Sequence, residues 1–83
     1  MEKEYIREVV KQAVIDSVKR ADSLDGHEFS DNDVLMDYPM DSLDVMETIL
    51  RIETRLNIYV PNKKIHDIYT FGDLCRLIEE SAV

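Results

Sequence analysis

The strongest constraint in this sequence is the stretch Tyr38-Pro39-Met40-Asp41-Ser42-Leu43-Asp44 and the periodic segment that runs from it to Leu56. Pro39 bars a helix arriving from upstream, because its ring fixes φ and it has no N–H to donate. Asp41 is a favourable N-cap residue. Asp44, three positions on, adds negative charge at the positive end of the helix dipole. Val45, Ile49, Ile52 and Leu56 then recur at the helical period, which predicts a helix over about 41–56 with one face in a core. Leu43, Met46 and Leu50 make a second stripe further round. A helix in so small a domain seldom buries its whole circumference, so this stripe is expected to be partly exposed and open to a partner. Ser42 falls in the first turn with its hydroxyl towards water.

The remaining pattern is also helical. A first helix is predicted from about Glu2 to Arg20, with Ile6, Val9, Val10, Ala13, Val14 and Ser17 on one side and Val18 at its edge. Glu2 and Glu4 suit its start, Lys19 and Arg20 its end. Ile15 falls on the opposite side and reads as a scattered exposed apolar residue. Asp22 to Asp37, with Gly26, has no sustained period and reads as a long loop anchored by Leu24, Phe29, Val34 and Leu35. A short helical turn capped by Ser30 is expected near residues 30–35. The acids Asp31, Asp33 and Asp37 do not make an EF-hand, whose fifth, sixth and twelfth positions would be Leu35, Met36 and Ser42. Downstream, Ile58 and Val60 should point inward from a connector, and Pro61 precedes a short helix over about 63–68 that buries Ile65 and Ile68. Thr70 caps a last helix, Asp73 completes its capping box, and Tyr69 is placed to staple to Leu74. Phe71, Leu74, Cys75, Leu77 and Ile78 form its core face. The expected fold is all-α, a small four-helix bundle with three longer helices and one short one, as a single domain over residues 1–83.

Charge narrows the function classes. The 83 residues carry a formal net charge of −8. That argues against nucleic acid and for basic partner surfaces. It also predicts weak, nonspecific binding of divalent cations, without a defined metal site. The single cysteine allows no intramolecular disulfide. No stretch is long and apolar enough to span a membrane, and the N-terminus lacks a signal-peptide pattern, so the expectation is a cytoplasmic monomer with no membrane role. No catalytic residue is assigned. Ser42 has no histidine near it in sequence, and His27 and His66 read as isolated surface or packing residues. Cys75 reads as a buried, inert thiol. Met36, Met40 and Met46 cluster about Ser42; core filling explains some of them, and Met46 suits an adaptable contact surface.

Asp41-Ser42-Leu43-Asp44 at a helix start resembles the modification site of acyl carrier proteins. The resemblance continues through Val45-Met46-Glu47, Ile52-Glu53 and Tyr59-Val60-Pro61, and returns in Tyr69-Thr70-Phe71-Gly72-Asp73-Leu74. It covers the C-terminal half strongly and the N-terminal half by helix pattern and length. It implies the same helical architecture and a 4′-phosphopantetheine arm on Ser42, whose thiol holds an acyl chain as a thioester. It further implies a phosphopantetheinyl transferase and acyl-transferring or ketosynthase-type enzymes with basic docking patches as partners, in fatty-acid, polyketide or related biosynthesis. By position, Asp41, Leu43, Asp44, Met46, Glu47 and Leu50 would meet those partners, and Glu53 joins the acidic set. Two features depart from the family. Pro39 stands where a glycine is usual, which reshapes the loop before Ser42 and bears on which transferase modifies it. Arg51 and Arg55 interrupt the acidic face, with Glu47 spaced to pair with Arg51, which points to a partner set unlike that of the housekeeping fatty-acid carrier. Arg55 itself reads as a solvated charge. Two alternatives stay open: a carrier of aminoacyl or peptidyl thioesters, and an unmodified helical interaction module.

Overall fold

A computed structural model describes residues 2–18, 28–38 and 40–82. The expectations for Lys19, Arg20, Leu24, Gly26, His27 and Pro39 lie outside the described residues. Those residues form four helices: α1 (Lys3–Ser17), α2 (Ser42–Leu56), α3 (Asn62–Ile65) and α4 (Phe71–Ser81), with a 3-10 turn over Leu35–Asp37. The all-α reading holds, with three long helices and one of a single turn.

The apolar stripes explain why the helices pack. α1 lies against both α2 and α4. Its predicted face is buried, and so are Val45, Ile49, Ile52 and Leu56 of α2 and Phe71, Leu74, Cys75, Leu77 and Ile78 of α4. Ile15 corrects the expectation: it is 7% exposed and belongs to the core. From Ala13 to Val18 every residue but Asp16 is buried. The last turn of α1 is thus enclosed on most of its circumference, and a one-sided reading of its period fails there.

α2 and α4 begin in the same way. Asp41 accepts the Asp44 N–H at 3.0 Å while Asp44 accepts the Asp41 N–H at 2.9 Å. Thr70 and Asp73 repeat this reciprocal arrangement at α4. Asp73 also accepts the Tyr69 N–H, and the N–H groups of Thr70 and Tyr69 help hold its carboxyl below the usual carboxylate range. Tyr69 is 63% exposed, and this backbone bond ties it to the start of α4. α2 closes on Asn57, whose φ of 55° is the left-handed conformation asparagine tolerates. α3 is shorter than predicted. The turns beyond it are carried to Ile68 by i→i+3 bonds from Asp67 to Lys64 and from Ile68 to Ile65, while Ile65 and Ile68 pack on the core as expected.

Residues 28–38 are bolted to α1 and α4. Phe29 stacks on Phe71 at 4.8 Å and meets Tyr38 edge-on at 5.2 Å. Arg7 bridges them: it donates to the Phe29 carbonyl at 3.3 Å, pairs with Asp31 at 2.6 Å and lies 5.0 Å from the Phe71 ring centre. Val34 and Thr70 form an isolated antiparallel bridge, and Phe71 N–H donates to the Asp33 carbonyl at 2.8 Å. A Cβ on Gly72 would sit 2.8 Å from the Asp31 carbonyl oxygen, so only glycine permits this approach. These bonds extend the backbone near Val34. A turn does start at Ser30, whose carbonyl accepts the Asp33 N–H at 3.0 Å, but it is not helical, and the 3-10 turn falls after the bridge at Leu35–Asp37.

Candidate functional site

Ser42 is the first residue of α2 and is exposed. The reciprocal bonds of Asp41 and Asp44 do the capping that a serine at a helix start often does itself. The Ser42 hydroxyl consequently has no hydrogen-bond partner among the described residues. The N–H groups of Ser42 and Leu43 belong to the turn that no intrahelical carbonyl can reach. Just upstream, Met40 is buried and its N–H donates to the Tyr38 carbonyl at 2.7 Å, which anchors the approach to the cap.

Downstream of Ser42, α2 divides as its two stripes predict. Leu43, Met46 and Leu50 are 75%, 46% and 61% exposed. Asp41 and Glu47 are exposed as well. Asp44 is different, being 7% exposed and committed to the cap. Glu53 is also diverted from the surface, because its carboxylate accepts the Val60 N–H at 2.8 Å and ties the connector to α2. Arg51 pairs with Glu47 at 2.9 Å across one turn, as their spacing predicted. Arg55 is exposed and makes no ion pair among the described residues. Between α1 and α2 runs a groove of about 420 Å³, lined by Val9, Ala13 and Leu50 and rimmed by charged residues of both helices. The periodicity had marked Val9 and Ala13 only as core and gave no sign of the groove.

Among the described residues, no histidine is hydrogen-bonded to Ser42, and His66 is exposed at the end of α3. Cys75 is buried, and burial pushes its thiol up to about 11, so it stays protonated at neutral pH. Among the described residues no group of three or more acids, histidines or cysteines is placed to hold a metal ion.

Residues 12–78 match the family model described as the phosphopantetheine attachment site. The chain belongs to that family. Two curated relatives are acyl carrier proteins. The one from Wolinella succinogenes is 42% identical over 43 residues, 52% of this chain and 57% of that protein. The one from Helicobacter pylori strain J99 is 38% identical over 45 residues, 54% of this chain and 58% of that protein. The aligned part thus spans a little over half the length of these relatives. Among solved structures, the chain resembles hexanoyl acyl carrier protein of the actinorhodin polyketide synthase from Streptomyces coelicolor. The TM-score is 0.73 at 28% identity, covering 88% of this chain and 85% of that one. The chain is therefore an acyl-carrier-family member, and this family consists of carriers and not of enzymes. The group for which the family is described fits the surroundings of Ser42. The hydroxyl is exposed and unbonded, and first-turn N–H groups favour the negative charge of a phosphodiester beside them. The carboxylates of Asp41 and Asp44 repel that charge, but each already accepts an N–H of the cap.

Proposed function

We propose that this protein carries acyl intermediates as thioesters on a 4′-phosphopantetheine arm attached to Ser42, and presents them to enzymes of fatty-acid, polyketide or related biosynthesis. The observation that carries this reading is the free, exposed Ser42 hydroxyl at the head of a helix whose cap is made by other residues. When bound, the arm supplies a thiol that holds and swings the cargo. The chain supplies the rest. Asp41 and Asp44 keep the helix start formed whether or not Ser42 is modified. Leu43, Met46 and Leu50 offer an apolar docking stripe, with methionine moulding to varied partners. Asp41 and Glu47 steer basic docking patches on a phosphopantetheinyl transferase and on acyl-transferring or ketosynthase-type enzymes. Asp44 contributes its charge to that field, but its contacts are structural. The setting that fits is a cytoplasmic monomer; no helix among the described residues is long and apolar enough to cross a membrane.

The test is intact mass after co-expression with a phosphopantetheinyl transferase. The wild-type chain should gain one phosphopantetheine. Ser42→Ala should gain none and keep its helical content, because Asp41 still caps α2. An arm on the alanine variant, or on Ser17, Ser23, Ser30 or Ser81, overturns the assignment. An unmodified wild-type chain returns the protein to the class of helical interaction modules. The cargo released by thioester cleavage then distinguishes acyl from aminoacyl or peptidyl carriage.

A further inference from the structure

The groove between α1 and α2 differs in charge from the region around Ser42. Its floor is Val9 and Ala13, and Leu50 forms an exposed apolar wall. Of the two carboxylates on its rim, Glu47 is paired with Arg51 at 2.9 Å, while Asp16 accepts only from the Gln12 amide at 2.9 Å. Asp16 keeps its charge, since Gln12 is neutral, and the basic rim group with no ion pair among the described residues is Arg55, on a chain of net charge −8. A free guanidinium beside apolar surface favours a carboxylate, which it binds through two parallel hydrogen bonds.

We propose that this groove is a second docking surface, which receives an amphipathic helix of a partner enzyme that lays apolar side chains on Leu50 and presents a carboxylate to Arg55. The proposal rests on the carrier reading and extends it to the other end of α2. At 1.5 Å per residue, Arg55 lies about 20 Å along the helix from Ser42 and Leu50 about 12 Å. A partner that spans both ends must therefore be basic near Asp41 and acidic near Arg55. Charges arranged in opposite signs at the two ends fix the direction in which the partner lies along α2. A uniformly basic patch would meet repulsion at Arg55, so the same residue rejects partners built for a wholly acidic helix. Arg55 also stands in the last turn of α2, where any cation is favoured by the helix dipole. That role needs no partner, and the experiment separates it.

The probes are two helix-stapled peptides with leucines one turn apart, one flanked by glutamates and its twin by lysines. Each is titrated into the isotope-labelled holo protein and followed by amide chemical shifts. The glutamate peptide should move the amides of Ala13, Leu50, Thr54 and Arg55. Arg55→Glu should weaken it by roughly three- to tenfold and favour the lysine twin, with the difference shrinking as salt is added. Absence of groove shifts with the glutamate peptide, or equal binding to Arg55→Glu, overturns the proposal. So do groove shifts that appear without peptide as the protein is concentrated, which mark a second copy as the occupant, or on loading of the arm, which mark the cargo. If Arg55→Glu lowers the melting temperature yet leaves both titrations unchanged, its role is the dipole alone and the proposal fails. Mass analysis of wild type and Arg55→Glu reports arm loading separately, so failure of the carrier reading and failure of the groove reading give different results.

Discussion

Asp44 shows how one carboxylate can serve a neighbour's chemistry without touching it. By accepting the Asp41 N–H at 2.9 Å it completes the cap, and Ser42 is left free of structural duty. Sequence position alone assigned Asp44 to the partner surface with Glu47, yet the two residues differ in burial and bonding. Asp44→Ala should cost about 1 kcal/mol of stability, as a lost capping contact does. Glu47→Ala should stay within roughly 0.5 kcal/mol, since it loses only an exposed one-turn ion pair. Urea denaturation of the two variants side by side checks this. Equal losses would mean that the cap does not hold the start of α2.

At the scale of the element, α2 is partitioned by face. Ile49 is 2% exposed and Met46 46%. Ile49→Ala should cost on the order of 2–5 kcal/mol, as truncation of a buried aliphatic side chain does. Met46→Ala should change stability little but slow partner-dependent acyl transfer. Melting and transfer measured on both variants decide between the faces. Should Met46→Ala unfold the domain as badly as Ile49→Ala while its folded fraction transfers normally, Met46 is core and the docking stripe is not. This partition was legible beforehand because it depends on period alone, as were both capping boxes, which are local in sequence. What escaped was non-local. The Val34–Thr70 bridge and the approach of Gly72 to Asp31 join segments far apart in the chain, and no period announces them. Ile15 was misplaced because a helix angle says which side a residue occupies, not how many sides the fold will cover. Glu53 escaped for a similar reason: a helical period assigns it to the surface but cannot show the connector N–H that claims its carboxylate.

For the molecule as a whole, charge opposes compactness. The ion pairs Arg7–Asp31, Lys11–Glu28, Glu47–Arg51, Lys64–Glu80 and Asp73–Arg76 each leave at least one partner well exposed, and such pairs contribute little. The net charge of −8 then acts as self-repulsion that salt screens. Added salt should raise the melting temperature. A divalent cation such as magnesium should raise it as well, through the weak, nonspecific binding that the charge predicts. Insensitivity to both would show that the surface acids are already compensated. The same compact core has a bearing on fidelity. A thioester can pass to any thiolate that reaches it, so a reactive cysteine beside the arm would be a leak through which cargo escapes without a partner. The chain has one cysteine, Cys75, and the bundle encloses it and keeps it protonated. On the carrier reading proposed above, Cys75 offers a thioester on the arm no reactive thiolate.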